Sequence, residues 1–107
     1  MDLVLGEQVR RKLEELHIPP ISEFDAALQV SWFIPREVVK KKTKNNKLYY
    51  IVRVIDSNNE VNTIRCWSVD PDRDKIYLNR PYMAKLKYDP QWGFSTFSVR
   101  RSFKMLA

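Results

Sequence analysis

Five lysines crowd into one short stretch of the chain, a spacing that could bind a polyanion. Lys40, Lys41, Lys42, Lys44 and Lys47 fall within eight residues that contain no acid. Ammonium groups this close repel one another, so a chain of phosphates that releases its own counterions would bind favourably here. The pattern therefore predicts a phosphate-binding segment. The alternative is a solvated strand edge, which lysine protects from pairing with other chains.

Two aromatic and two arginine side chains follow these lysines on predicted strands. Burying the apolar parity of the second predicted strand leaves Tyr49 and Arg53 on its outer side. In the third predicted strand the same reasoning turns Cys66 inward and leaves Arg65 and Trp67 outward. Flat rings beside guanidinium groups form a surface on which bases stack and phosphates pair. The alternative is that Tyr49 and Trp67 pack beneath an N-terminal helix.

A further pair of rings flanks the last predicted turn. Trp92 and Phe94 lie on either side of Gly93, where glycine supplies the left-handed residue of a tight turn. Core packing gives a poor explanation for large rings at a loop tip. We therefore predict that Trp92 and Phe94 stack on bases, beside the cationic and aromatic residues named above.

Catalysis by this chain alone is not expected. His17 is its single histidine, and Cys66, its single cysteine, is predicted to face the core, so neither a cysteine–histidine pair nor a histidine metal site can form. The two glycines, Gly6 and Gly93, are too few for a phosphate-cradling loop. We predict no catalytic residue, no metal and no cofactor.

One segment resembles the start of a calcium loop but lacks its other parts. Asp70, Asp72 and Asp74 alternate as the first ligands of such a loop do. Lys75 stands where the loop requires glycine, and Pro81 stands where it requires a bidentate glutamate. The sequence therefore favours a solvated loop over a calcium site.

Length and charge limit the number of domains and the class of partner. The chain has 107 residues, which is enough for one domain with a modest core. Its formal net charge is +6, but residues 1–27 hold three bases and six acids, a local −3, which leaves +9 for the rest. This asymmetry favours a polyanionic partner for residues 28–107. With one cysteine and neither a signal segment nor a long apolar run, we predict a reducing, cytoplasmic location away from membranes.

The elements that must position these residues are one helix and five strands. Apolar residues at helical spacing predict a helix over residues 3–16, which Pro19 and Pro20 end. A switch to period two predicts strands over residues 28–42, 48–55, 61–69, 82–88 and 94–101. Pro35 indicates an edge position or a bulge in the first strand.

A three-strand meander followed by a hairpin is typical of a small barrel. We predict a mainly β fold, a five-stranded barrel of the oligonucleotide-binding (OB) type with an N-terminal helix, and an SH3-like barrel is the main rival. Residues 1–27 would form the helix and connector, and residues 28–107 would form the nucleic-acid-binding domain.

Several segments resemble a known family. Residues 41–52, running from Lys41-Lys42-Thr43 to Ile51-Val52, and then 54–56 resemble the entry into the OB-fold domain of C-family bacterial replicative DNA polymerases, the polymerase III alpha subunits. Residues 64–67, 79–83 and 92–96 look like phage-encoded relatives of that domain. The resemblance covers about residues 28–106, although Asn46 stands where the family often has glycine.

The resemblance implies a function. It implies binding of the single-stranded template by the first-hairpin lysines and the sheet face, with the catalytic carboxylates in another part of a larger polymerase. The expected partner is single-stranded nucleic acid, DNA rather than RNA, bound by a monomer in a bacterial cell or a phage-infected host. The alternative function is a protein–protein interaction module that docks an acidic partner through the basic hairpin.

Overall fold

One curled, seven-stranded sheet is the main element of the computed structural model, which describes residues 6–67, 69–70, 72–91 and 93–106. The elements in chain order are α1 (Glu7–Leu16), a 3₁₀ helix (Ile21–Glu23), β1 (Val30–Lys42), β2 (Leu48–Ile55), β3 (Asn62–Cys66), β4 (Tyr82–Lys85), β5 (Lys87–Asp89), β6 (Gly93–Thr96), α2 (Val99–Ser102) and β7 (Phe103–Met105). The fold is therefore mainly β with one N-terminal helix, as the sequence predicts.

Helix α1 is amphipathic and ends where the sequence predicts. It buries Val9 and Leu13, which lie four residues apart and so share one face. His17 ends the helix in the left-handed conformation (φ 54°), and its amide donates to the carbonyl of Glu14. Residues 3–5 of the predicted helix lie outside the described residues.

Strand β1 begins at Val30 rather than at the predicted Leu28. Gln29 adopts a positive φ of 59°, and the amides of Leu28 and Gln29 both donate to the carbonyl of Asp25. This turn keeps residues 28 and 29 out of the strand. The predicted start is two residues too early, because an amphipathic strand pattern does not reveal a turn closed by backbone hydrogen bonds.

Pro35 lies at a β-bulge inside β1, at a point where the strand pairs with β2 and pairing with β4 has ended at Phe33. The strand pairs with β2 on one side and with β4 on the other. The β1–β2 register shifts between Pro35 and Glu37, so Arg36 is the extra residue. The shift reverses the parity of the strand: Phe33 enters the main core before the bulge, and Val38 packs against that core after it.

The sheet order is β5-β6-β3-β2-β1-β4-β7, and β3–β6 is the parallel pair while the other pairs are antiparallel. Strand β1 is shared: its first residues pair with β4, and its later residues pair with β2. Strands β4 and β5 are separated by Leu86 alone, whose amide donates to the carbonyl of Gln29. The chain at Leu86 thus passes from the β1 side of the curled sheet to the β6 side.

The described residues form seven strands, not the predicted five. The predicted strand 82–88 divides at Leu86, which is fully buried where the chain changes partner. The predicted strand 94–101 ends at Thr96, because Ser98 caps α2 by accepting a hydrogen bond from the amide of Arg101. The predicted strand 61–69 is shortened to β3. Periodicity alone did not reveal these interruptions.

The main core lies inside the curl of the sheet. Its buried residues come from six of the seven strands and include Phe33, Val52, Ile64 and Phe103. The rings of Phe33 and Phe103 meet edge to face, with their centroids 5.2 Å apart. Asp56 follows the end of β2 and is fully buried. Its carboxylate accepts the amide of Ser22 at 2.7 Å and that of Asn58 at 2.9 Å, which ties the 3₁₀ helix to the turn after β2.

Candidate nucleic-acid interface

The register of β1, β2 and β3 builds one continuous surface, which we call the outer face. Tyr50, Val52 and Val54 of β2 are buried, so the alternate residues of that strand face away from the core. Cross-strand neighbours share a face, and the outward residues of β2 lie opposite those of β1 and β3. The outer face comprises Glu37, Val39, Lys41, Tyr49, Ile51, Arg53, Thr63, Arg65 and Trp67.

The strand parity predicted from the sequence is confirmed here. Ile64 and Cys66 are fully buried, while Arg65 and Trp67 are half-buried and Thr63 is exposed. The sequence therefore placed Tyr49, Arg53, Arg65 and Trp67 correctly on one side of the sheet. Their binding role stays a prediction.

An aromatic pair lies at the centre of the candidate site. The ring centroids of Tyr49 and Trp67 are 4.9 Å apart, with an interplanar angle of 39°. The amide of Trp67 donates to the carbonyl of Thr96 at 2.9 Å, so the residue is held in line with the sheet although β3 ends one residue earlier. The pair thus presents a π surface on the outer face.

Helix α1 does not cover this pair. In the described part of the chain, the cluster under α1 joins Val9 and Leu13 to Trp32 and Leu106, with Ile18 and Met83 at its edge. Trp32, which is 5% exposed, is therefore the tryptophan that packs beneath the helix. The alternative in which Tyr49 and Trp67 pack there is wrong.

Cationic side chains flank the pair along the sheet. Lys41 lies directly opposite Tyr49, and Arg65 lies opposite Ile51, the next outward residue of β2 after Tyr49. Arg53, also on the outer face, forms an exposed ion pair with Glu37 at 3.4 Å. An exposed pair of this kind contributes little to stability, so a phosphate can compete with Glu37 for the guanidinium.

The lysine-rich segment, residues 40–47, forms the tip of the β1–β2 hairpin, which we call the basic hairpin. All five of its lysines are exposed. Lys41 lies on the outer face beside Tyr49, whereas Lys40 and Lys42 lie opposite Tyr50 and Leu48 on the other parity. The five charges therefore surround the hairpin tip and do not form one flat patch.

Local hydrogen bonds shape the turn of the basic hairpin. Asn46 adopts the left-handed conformation (φ 60°), and its amide donates to the carbonyl of Thr43. The amide of Lys47 donates to the Thr43 hydroxyl at 3.2 Å, and the Thr43 amide donates to the Lys47 carbonyl. Asparagine tolerates positive φ, so it occupies the position that would favour glycine.

The two rings predicted at the last turn have different outcomes. Phe94 is 8% exposed and belongs to the main core. Its ring centroid lies 5.1 Å from that of Phe24 and 5.0 Å from that of Tyr88. It cannot offer its ring to a base, so the prediction for Phe94 is wrong. Gly93 has the predicted positive φ, 79°. Trp92 lies outside the described residues.

The remaining chemistry-bearing residues serve the fold. Asp74 accepts the amide of Asp70 at 2.7 Å, and Asp70 accepts that of Asp72 at 3.0 Å, so two of these carboxylates shape their own loop. Burial, with a smaller effect from Asp74, raises the pKa of the Cys66 thiol to about 12. Such a thiol is protonated at neutral pH and is a poor nucleophile.

Sequence reasoning missed some members of the outer face. Val39, which lies opposite Ile51, contributes half-buried apolar surface beside the aromatic pair. Ser95 of β6 extends the same row, since it lies opposite Arg65 of β3 on one side and opposite Lys87 of β5 on the other. Assigning Phe94 to the core would have revealed Ser95 and Phe97 as outward residues, because side chains alternate along a strand.

Within the residues described, no helix is both long and apolar enough to cross a membrane, and no cluster of three potential metal-binding side chains occurs. Comparisons with protein-family models, with curated proteins and with solved structures found no match.

Proposed function

We propose that this chain is an OB-fold module that binds single-stranded DNA, with little sequence preference, through its outer face and basic hairpin. The observation that supports this most is the Tyr49–Trp67 pair on an open sheet surface, with Lys41 beside one ring and Arg65 on the neighbouring row. Every base has a π face, so such a surface binds different sequences alike.

The topology supports the OB-fold assignment over an SH3-like barrel. Strands β1, β2 and β3 form a meander, β3 pairs in parallel with β6, and β1 pairs with both β2 and β4. With β4 and β5 taken as one strand bent at Leu86, the five strands of an OB-fold are present, and β7 adds a sixth strand beside β4. In OB-folds the second and third strands and the first hairpin loop form the binding surface, and Tyr49, Trp67 and the basic hairpin occupy these places.

The charge of the hairpin suits the backbone of a single strand. Exposed lysines at a hairpin tip can follow a flexible phosphate chain, whereas stacking on Tyr49 and Trp67 holds its bases. One module of this size offers few stacking positions, so we expect affinity of about micromolar or weaker.

The resemblance to polymerase III alpha subunits extends the proposal. We propose that the module binds the template as a non-catalytic part of a bacterial or phage replicative polymerase. In that case the catalytic carboxylates lie outside this chain and the module has no nucleotidyl transfer activity of its own.

A charge-matched comparison tests the proposed function. One variant carries Lys41→Gln, Lys44→Gln and Lys47→Gln in the basic hairpin, and the control carries the same change at Lys12, Lys75 and Lys104, which are exposed elsewhere. Both lower the formal net charge of +6 by three. Titration of a labelled oligothymidylate should show about tenfold or greater weakening for the hairpin variant, since roughly three phosphate contacts are lost.

The control should bind within about threefold of the unmodified chain, because it changes only long-range attraction, which salt screens. Equal weakening of the two variants would show that net charge, and not the hairpin, attracts the DNA. If DNA does not bind and an acidic peptide binds through the same lysines, the module is a protein-docking domain instead.

A further inference from the structure

A second group of cationic and aromatic side chains lies where β6 ends. A cleft of about 280 Å³ is lined there by Phe97, by the cationic residues Lys85, Lys87 and Arg101, and by four hydroxyl-bearing side chains. The described residues that line the cleft include no carboxylate. An anion in this cleft would therefore meet three positive side chains and several hydrogen-bond donors.

The cleft continues the outer face. Ser95 of β6 lies opposite Arg65 of β3 and opposite Lys87 of β5, so these three residues share one side of the sheet. Phe97 follows Ser95 by two residues, and the Nζ atom of Lys87 lies over its ring, 5.8 Å from the centroid. The ring is therefore on the same side as the Tyr49–Trp67 pair.

The ring of Phe97 is largely exposed to solvent. It is 64% exposed, whereas Phe94, three residues earlier, is 8% exposed. A single exposed apolar residue is common on protein surfaces. What sets Phe97 apart is that it lines a cationic cleft on the face that already carries an aromatic pair.

We propose that Phe97, Lys87 and Arg101 form a second nucleotide subsite on the outer face. The ring of Phe97 stacks on one base, and Lys87 and Arg101 contact the adjoining phosphates. This inference rests on the proposed function, since the same single strand would run from the basic hairpin across β2 and β3 to β6. Trp67, whose amide bonds the Thr96 carbonyl, lies one step between neighbouring strands, about 5 Å, from the end of β6, and Tyr49 of β2 lies two steps, about 10 Å, away. The ring of Phe97 therefore extends the aromatic row and takes the base next to those held by the Tyr49–Trp67 pair.

The test compares a short oligothymidylate of about four nucleotides with one of about ten, which can reach both surfaces. Phe97→Ala should weaken binding of the longer oligonucleotide at least about fivefold, the lower end expected for losing one stacked base. Binding of the shorter one, held by the hairpin and the Tyr49–Trp67 pair, should change less than about twofold. Tyr77→Ala, which removes a ring of comparable exposure, 54%, from a loop that does not line the cleft, is the matched control and should alter neither.

A second variant tests the phosphate contacts. Lys87→Gln with Arg101→Gln should make the salt slope for the longer oligonucleotide shallower by about 1.4, at about 0.7 for each lost phosphate contact. Unchanged binding of the longer oligonucleotide by Phe97→Ala, or an unchanged slope in the double variant, would overturn the subsite while leaving the proposed function in place. If the unmodified chain binds neither oligonucleotide, the proposed function fails and the subsite fails with it.

Discussion

Replacing Trp67 by alanine separates a base-stacking role from a structural one. Trp67 is half-buried and packs on Tyr49 outside the main core. Losing one stacked base should weaken binding of single-stranded DNA by about 1 to 3 kcal/mol, or about 5- to 150-fold. The salt dependence of binding should be preserved, since no charge is removed.

The expected cost to folding is smaller and can be compared within the same chain. Loss of the ring contact with Tyr49 should lower the free energy of unfolding by about 0.5 to 1.5 kcal/mol, with a further part from the half-buried area. Trp32→Ala is the matched control, because Trp32 is 5% exposed beneath α1. Its loss should cost about 3 to 5 kcal/mol of stability.

Urea unfolding and titration of a labelled oligonucleotide decide between the two roles. We expect Trp67→Ala to lose binding and keep most of its stability, and Trp32→Ala to lose stability and bind normally where it is folded. Trp67→Phe should recover most of the binding, since a ring is kept. Normal binding by folded Trp67→Ala would refute the stacking role and remove Trp67 from the site.

Two further predictions concern the fold. Since the pKa of the buried Cys66 thiol is raised from 9.0 to about 12, the unfolded chain loses this proton at lower pH than the folded chain does. Stability should therefore fall with rising pH between those values, by up to about 1.4 kcal/mol per pH unit, and urea midpoints of Cys66→Ala should show a shallower fall. Tyr50 and Tyr82, whose pKa values burial also raises, would leave a residual slope at the highest pH. Asp56→Ala should cost about 3 kcal/mol or more, because the amides of Ser22 and Asn58 lose their carboxylate acceptor, and equal urea midpoints for variant and parent would contradict this.

The centre of the sheet could be predicted from the sequence because its signals are local. Strand β2 has the predicted bounds, since Leu48–Ile55 alternates without interruption between two polar turns. The turn of the basic hairpin follows from asparagine, which tolerates the positive φ that Asn46 adopts. The outward placement of Tyr49 and Trp67 follows from the same alternation.

The elements that the sequence did not reveal depend on contacts between distant segments. The bulge after Pro35 reverses the parity of β1, so Phe33 before it and Val38 after it both face the main core. The break at Leu86 depends on a backbone bond to Gln29, which lies 57 residues earlier in the chain. The prediction for Phe94 was wrong because a ring beside a turn can point into the core when a distant residue, here Phe24, packs against it.

The salt dependence of binding to single-stranded DNA tests the central claim most directly. With three to five phosphates contacted by the basic hairpin and the outer face, the logarithm of the affinity should fall with the logarithm of the salt concentration at a slope of roughly −2 to −3.5. The affinity should also rise with oligonucleotide length until the surface is covered, which separates a DNA site from a docking patch for acidic proteins. A flat salt response, or equal affinity for every length, would contradict the account.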